Sequence, residues 1–275
     1  MPWTASLLLA GTVALAAPRA ADRPALVTGA PVVTAKKGVG HWGDALPAAP
    51  DLLGSSWYYN WGPQASRRAG KVKAEFIPMI WSGKDATAEN LARLKDSHAS
   101  ALLGYNEPDG EGQANMSVAE AIALWPSLEA TGLRLGSPGT TTGAGWLDEF
   151  MASATAKHLR VDFLCLHWYG DITAPDPVGR LKHYLEGYWR KYHLPIWLTE
   201  YSGANFDYHR RKATIEDNAK FAAESIAMME RLPCVERYAW FAPLVSADDA
   251  FYPTVALCHP DGSLTPVGVA WRAAR

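Results

Sequence analysis

The sequence lacks the features that mark several large classes of protein. Its 275 residues carry 26 basic and 28 acidic side chains, with no block of basic residues. It therefore offers no electrostatic field for a nucleic acid. Its eight histidines and three cysteines show no HExxH, HxH or CxxC spacing, and there is no GxSxG motif. We therefore predict no metal centre, no bound cofactor and no serine hydrolase elbow.

Cysteine is scarce. Cys165, Cys234 and Cys258 are too few to define a disulfide framework. A bond between Cys234 and Cys258 and three free buried thiols are both compatible with this number.

The one long apolar run lies at the N terminus. Residues 7–17 are apolar and end in Ala14-Leu15-Ala16, the pattern of an export signal with its cleavage site, although the first basic residue is only Arg19. We predict a signal peptide over residues 1–17 and a flexible segment over 18–35, and hence a secreted or periplasmic protein. A buried N-terminal helix is the alternative. No later run is long enough to span a bilayer, so we expect no membrane contact.

What the sequence does contain is tryptophan and tyrosine. It has 12 Trp and 11 Tyr against 7 Phe, in a chain that is 48% apolar. That balance is typical of a globular protein with a large core. Trp and Tyr rings also carry a polar atom and are frequent at binding surfaces.

Residues 36–275 show a regular alternation of β-branched or aromatic runs with helical patterns, and no linker divides them. We expect eight strands, at residues 39–42, 56–60, 75–81, 101–106, 134–137, 162–169, 195–200 and 237–241. The helices are expected at residues 87–97, 117–131, 146–157, 178–192 and 214–231. Eight such units predict a single-domain α/β fold, a (β/α)₈ TIM barrel. Because the first two connections are short, we expect the early helices of the barrel to be short or missing. A doubly wound sheet is the alternative, but the first strand lacks its Gly-rich turn.

In such a barrel the chemistry lies at the carboxyl ends of the strands. Glu107 and Glu200 end two otherwise apolar strands, the fourth and the seventh. A pair of carboxylates facing each other across an aromatic mouth suits cleavage of a glycosidic bond, because one acid protonates the leaving oxygen and the other meets the charge at the anomeric carbon.

Rings and polar groups near the other strand ends are candidates for binding a sugar, whose faces are apolar and whose edge carries hydroxyls. These candidates are Asn106, His167, Tyr169, Trp240, Trp57, Tyr59, Trp61 and Trp81. Each assignment has a structural alternative. Glu107 fits a surface loop, Glu200 fits an ion pair, and the aromatic rings fit the core.

Ordered motifs run through most of the domain. They are YNWGP (59–63), FIPMIW (76–81), GYNEPD (104–109), QANMS (113–117), LGSPGT (135–140), VDFLCLHWYG (161–170), PIWLTEYS (195–202) and VERYAWF (235–241). In these motifs the chain resembles glycoside hydrolase family 128, the endo-β-1,3-glucanases and relatives with an Asl1-like catalytic core. The resemblance implies a TIM barrel that retains anomeric configuration, with Glu107 as acid/base and Glu200 as nucleophile.

The expected function is therefore a secreted, monomeric, retaining β-1,3-glucanase acting by double displacement on a β-glucan polysaccharide or oligosaccharide. Its two carboxyl groups are expected about 5 to 5.5 Å apart. Two alternatives stay open. One is a non-catalytic β-glucan-binding protein on the same barrel, and the other is a clan-related hydrolase of another β-glycan. The sequence does not choose between endo and exo action.

Overall fold

The structure is a computed structural model that describes residues 30–41, 46–66, 72–141, 145–204, 213–244 and 254–275. The predicted signal peptide lies outside the described residues, as does Trp42 at the end of the first predicted strand.

Strands and helices alternate along the chain as predicted. The strands are β1 (Lys37–Gly40), β2 (Trp57–Tyr59), β3 (Glu75–Phe76), β4 (Ala101–Leu102), β5 (Arg134–Leu135), β6 (Leu164–Trp168), β7 (Ile196–Tyr201) and β8 (Val235–Trp240). The helices are α1 (Ala49–Leu52), α2 (Ala88–Lys95), α3 (Val118–Glu129), α4 (Gly145–Ala156), α5 (Pro177–Tyr192), α6 (Ile215–Arg231) and α7 (Pro266–Ala273). The early helices are short, since α1 has only four residues.

The eight strands form a parallel ring. Six of them hydrogen-bond in the order β3-β2-β1-β8-β7-β6, and β4 pairs with β5. Single parallel bridges, Met79 with Leu103 and Gly136 with Phe163, join the pair to the six-stranded part. The ring follows chain order all the way round, which confirms the predicted TIM-barrel architecture.

The alternation of side chains along each strand separates two apolar layers. Trp57, Tyr59, Phe163 and Trp197 belong to a cluster inside the ring. Residues of opposite parity, such as Tyr58, pack in the larger layer between strands and helices.

Glycines in β1 make room for the large rings inside the barrel. A Cβ on Gly38 would lie 2.3 Å from the indole of Trp57, and one on Gly40 would lie 2.7 Å from the indole of Trp61. Such distances are far below van der Waals contact, so β1 needs residues without side chains at both positions.

Two helices begin with reciprocal side-chain caps. At α3 Ser117 accepts a bond from the Glu120 backbone while the Glu120 carboxylate accepts one from the Ser117 N–H, and Thr214 and Asp217 do the same at α6. These capping boxes satisfy amide groups that have no partner within the helix, and they fix where each helix starts behind the barrel.

At the start of the described chain, Val32 and Lys37 are attached to the bottom of the barrel. The Val32 N–H donates to the Arg272 carbonyl. The ammonium group of Lys37 is fully buried and donates to the carbonyls of Val32, Trp271 and Ala274 at 2.6 to 3.1 Å. Burial lowers the pKa of Lys37 to about 8, against the opposing charge of Glu230.

All three cysteines are free, so the disulfide between Cys234 and Cys258 does not form in this structure. Burial raises the pKa of the Cys258 thiol to about 12, which keeps it protonated and unreactive. Among the described residues no helix has the length and apolar character to cross a membrane.

Candidate active site

Three polar side chains converge at the carboxyl end of the barrel. Glu200 lies in β7, His167 lies in β6, and Glu107 follows β4. A carboxylate oxygen of Glu107, a carboxylate oxygen of Glu200 and a ring nitrogen of His167 all lie within 4.8 Å of one another. The fold therefore brings Glu107 and Glu200 together at one end of the barrel, as the sequence analysis expects, although 93 positions separate them in the chain.

The backbone around Glu107 is held by its neighbours on both sides. The Glu107 N–H donates to the Gly139 carbonyl at 2.6 Å, and the Asn106 N–H donates to the Trp81 carbonyl at 2.9 Å. Glu107 itself has a left-handed φ of 45°, a conformation that non-glycine residues adopt rarely and that is frequent at functional sites. This turn leaves the Glu107 side chain 12% exposed at the mouth.

Glu200 is buried and receives three hydrogen bonds from neutral donors. Its Oε1 accepts from the Trp61 indole at 2.8 Å and from the Tyr59 hydroxyl at 3.2 Å. Its Oε2 accepts from the Tyr169 hydroxyl at 2.6 Å. Hydrogen bonds from O–H and N–H groups stabilise a negative charge on this carboxylate and fix both of its oxygens.

The two phenols stay protonated. Burial, followed by the negative charge of Glu200, raises the pKa of both Tyr59 and Tyr169 well above the ordinary value. Both hydroxyls therefore keep their protons throughout the pH range in which enzymes are assayed. Tyr169 donates to Glu200, whereas the Tyr59 hydroxyl lies 2.9 Å from the Thr199 carbonyl and 3.2 Å from Glu200 Oε1 and shares its single proton between them.

His167 lies between the two acids. Its Nδ1 is 2.9 Å from Oε1 of Glu107, and its Nε2 is 3.7 Å from Oε1 of Glu200. Burial lowers the pKa of His167, but the charge of Glu200 and the hydrogen bond with Glu107 outweigh it, so the pKa is raised above its ordinary value. The two acids thus favour the protonated form of the imidazole.

Two residues that the sequence analysis missed position His167. The Tyr184 hydroxyl of α5 donates to the His167 carbonyl at 2.9 Å. Gly139 leaves room for the ring, since a Cβ there would lie 2.8 Å from Nε2. In the sequence, the contact between His167 and Gly139 is indicated only by the presence of a glycine near a strand end.

Glu107, His167 and Glu200 are also residue types that bind metals. In a metal site such atoms converge on one ion at about 2.0 to 2.2 Å. Here both oxygens of Glu200 already accept hydrogen bonds and Nδ1 of His167 already contacts Glu107. The three side chains are therefore arranged as two acids that are hydrogen-bonded to neighbouring side chains, and not as the ligands of a metal ion.

Other predicted sugar-binding residues surround this centre. Trp61 and Trp81 are half-buried and pack against the mouth end of the interior cluster. Asn106 is buried, and its Nδ2 donates to Oε1 of Gln113 at 3.3 Å, a partner that the sequence analysis did not identify. Its Oδ1 has no hydrogen-bond partner among the residues that the structure describes, so an acceptor is left next to Glu107.

Three of the predicted sugar-binding rings, those of Trp57, Tyr59 and Trp240, are fully buried in this structure. Trp57 points into the barrel beneath Tyr59 and donates to the Lys36 carbonyl near the bottom. Trp240 points outward into the helical layer, where it packs on Tyr201 and Trp271. Both indole rings are core residues, which is the structural alternative for each.

Comparison with known proteins places the chain in a family. Residues 50–271 match the family model described as the glycosyl hydrolase catalytic core. Alkali-sensitive linkage protein 1 of Schizosaccharomyces pombe is 29% identical over 223 residues, which are 78% of this chain. The chain spans only 39% of the length of that curated relative.

Two crystal structures extend the likeness to the whole fold. A family 128 subgroup I endo-β-1,3-glucanase from Amycolatopsis mediterranei, solved with laminaripentaose, is 40% identical with a TM-score of 0.79, and the match covers 88% of this chain and all of that one. A subgroup II endo-β-1,3-glucanase from Pseudomonas viridiflava is 30% identical with a TM-score of 0.71, and the match covers 89% and 99% of the two chains. The chain therefore belongs to the glycosyl hydrolase catalytic core family, within glycoside hydrolase family 128.

Proposed function

We propose that the chain is a retaining endo-β-1,3-glucanase, with Glu107 as general acid/base and Glu200 as nucleophile. The observation that carries this proposal is the close approach of the two carboxyl groups. One carboxylate oxygen of Glu107 lies within 4.8 Å of one carboxylate oxygen of Glu200. Retaining glycosidases hold their carboxyl groups about 5 to 5.5 Å apart, whereas inverting enzymes leave about 6.5 to 9.5 Å for a water molecule. We infer the β-1,3 linkage of the substrate and the endo mode of cleavage from the family 128 endo-β-1,3-glucanases that the chain resembles.

The reaction runs in two displacements. In the first, Glu107 gives its proton to the glycosidic oxygen while an oxygen of Glu200 bonds to the anomeric carbon and the carbon–oxygen bond to the leaving sugar breaks. In the second, Glu107 takes a proton from water, the water oxygen bonds to the anomeric carbon, and the bond to Glu200 breaks. The three donors to Glu200 stabilise the carboxylate that leaves in this second step.

The half-buried rings of Trp61 and Trp81 are suited to the apolar face of a glucose unit. Asn106 precedes Glu107, and its buried Oδ1 has no hydrogen-bond partner among the described residues, so a small rotation of the amide would offer an acceptor to a sugar hydroxyl. His167 and Tyr169 contact the two acids, so their role in this mechanism is to orient them.

The decisive experiment measures reducing ends released from laminarin, together with the anomeric configuration of the first product by NMR. We expect release with retention, and loss of release in Glu107→Gln and in Glu200→Gln. Glu111→Gln is the matched control, because Glu111 is an exposed acid on the loop that follows Glu107. A 2-fluoro glycoside should label Glu200. Inverted product would overturn the mechanism. Binding of laminarin without release, unchanged by Glu107→Gln, would favour the non-catalytic glucan-binding protein.

We further propose that the chain acts outside the cytoplasm, as a monomer. The apolar run over residues 7–17 supports export, and the presence of both acids in one barrel supports a site that needs no second subunit. N-terminal sequencing of the exported protein and light scattering of the purified protein test the two statements.

A further inference from the structure

A groove runs along the outer wall of the barrel between helices α4 and α5, away from the acid pair. Its volume is about 820 Å³, within the range of about 300 to 1,000 Å³ that is typical of ligand sites. Its floor and walls are mostly apolar, and they include Met151, Ala152, Thr155, Leu159, Val161 and Leu194. We call this cavity the α4/α5 groove.

A second cavity of about 280 Å³ continues the groove along α5. Asp148 and Lys191 line both cavities, so the two form one surface feature. Tyr184 and Tyr188 line the second cavity and Tyr192 lines the first.

These tyrosines form a ladder on one face of α5, because each follows the last by four residues. The rings of Tyr188 and Tyr192 are stacked, with centroids 6.3 Å apart and an interplanar angle of 19°. The rings of Tyr184 and Tyr188 meet edge to face at 4.9 Å. The hydroxyls of Tyr184 and Tyr192 donate to the His167 carbonyl and to Asp148, so the ladder contributes mainly its rings. A row of aromatic rings beside an apolar floor is suited to the apolar faces of a sugar chain.

The charges of the groove are balanced. Lys191 lies 2.6 Å from Asp148, and the Tyr192 hydroxyl donates to the same carboxylate. Hydrogen bonds from Lys191 and Tyr192 lower the pKa of Asp148, so the ion pair persists at neutral pH. A paired acid and base present polar atoms without a net charge, which complements a neutral polysaccharide better than an anion or a cation.

We propose that the α4/α5 groove is a second binding site for β-glucan, which holds a stretch of polymer remote from the bond being cleaved. This inference rests on the proposed function, since that function supplies a long neutral polymer as substrate. Binding at two places on one polymer raises the effective concentration of the substrate at the acid pair without any new contact there. The benefit therefore applies to particles and long chains, and a short oligosaccharide that occupies one site gains nothing.

The test compares a particulate β-1,3-glucan, curdlan, with soluble laminarihexaose. Ala152→Arg fills the groove from its exposed wall and removes none of the contacts described above. Ala92→Arg places the same side chain at an exposed position on α2 and is the matched control. Binding to curdlan is measured by depletion of protein from solution in a Glu107→Gln background, so that no polymer is consumed.

We expect Ala152→Arg to weaken binding to curdlan by about tenfold and to leave the kcat/KM for laminarihexaose within about twofold of the parent, with no effect of Ala92→Arg on either. Equal curdlan binding by Ala152→Arg and Ala92→Arg would overturn the groove proposal even if the parent hydrolyses laminarin normally. The converse result is also informative. A parent that binds curdlan through the groove but releases no sugar would overturn the proposed function alone.

A second variant acts on the ladder itself. Tyr188→Ala removes the central ring and is expected to weaken curdlan binding in the same way, provided that its circular dichroism and melting temperature match those of the parent. Because Tyr188→Ala deletes a ring and Ala152→Arg adds bulk, a shared loss of curdlan binding cannot come from a common packing defect. Normal curdlan binding by a folded Tyr188→Ala protein would refute the role of the ladder.

Discussion

The hydrogen bond from Tyr169 to Glu200 gives the sharpest test of the proposed roles. Tyr169→Phe removes one hydroxyl and keeps the ring that packs against Phe241. The bond that is lost is short, at 2.6 Å, and buried, and it ends on a carboxylate. In the proposed mechanism this carboxylate must leave the glycosyl enzyme in the second step, so the missing donor slows the breakdown of the intermediate more than its formation.

The size of the effect follows from the type of bond. A hydrogen bond to a charged group contributes about 1.5 to 3 kcal/mol. At about 1.4 kcal/mol for each tenfold change in rate, kcat should fall by about 10- to 150-fold. When the second step limits turnover, the intermediate accumulates and KM falls with kcat, so kcat/KM changes much less.

The assay is steady-state hydrolysis of laminarihexaose, with mass spectrometry of the quenched protein to detect glycosylated Glu200. Tyr105→Phe is the matched control, because the buried Tyr105 hydroxyl has no hydrogen-bond partner among the described residues and lies next to Asn106 in the chain. We expect Tyr105→Phe to leave kcat unchanged. A Tyr169→Phe protein with unchanged kcat, or with kcat and kcat/KM lowered equally and no trapped intermediate, would refute the reasoning.

Three further predictions concern other contacts. Trp61→Phe keeps a ring at the mouth but removes the indole bond to Glu200, so kcat for laminarin should fall about tenfold with little change in melting temperature. Gly139→Ala places a Cβ 2.8 Å from Nε2 of His167, so activity should fall in a protein that still folds, as measured by hydrolysis and circular dichroism. The pKa of Lys37 is about 8 in the folded chain and about 10.4 when unfolded. The unfolded chain thus binds more protons at Lys37 between these values, whereas the raised pKa of Cys258 acts with the opposite sign. The test is therefore a difference: between pH 8 and pH 10 the urea stability of the parent should rise relative to that of Lys37→Met.

The sequence was sufficient to predict the order of the elements and the pairing of the acids. Apolar runs that end in polar residues marked the strands, and the barrel rule then placed Glu107 and Glu200 at the same end. Helix boundaries were close as well, because Ser117 and Thr214 are capping residues with an acid three positions later.

The depth and direction of the rings could not be predicted so easily. Trp57 and Tyr59 share one parity in β2, but only the residues nearest the strand end reach the mouth. Trp240 has the opposite parity to Ala239, which faces the interior. A strand pattern does not show which parity faces inward when both layers are apolar.

Register is also set by tertiary contacts. An irregularity between Leu166 and His167 places His167 opposite Glu200 in the β6–β7 pairing. A bulge of this kind re-aims a side chain towards a site, and its position depends on the partner strand, which a single sequence does not specify.

The division of the ring into six strands and two bears on how the protein loses activity on heating. Glu107 follows β4 in the smaller part, while His167 and Glu200 belong to the larger. Backbone hydrogen bonds from the N–H groups of Ile80, Leu103 and Asn106 cross one seam, and those from Ser137 and Asp162 cross the other. A local opening of either seam would separate Glu107 from His167 and Glu200 before the remainder unfolds. Turnover should then disappear while tryptophan fluorescence still reports an intact interior, and cooling should restore it. Reinforcing these seams is the direct route to a more heat-tolerant catalyst.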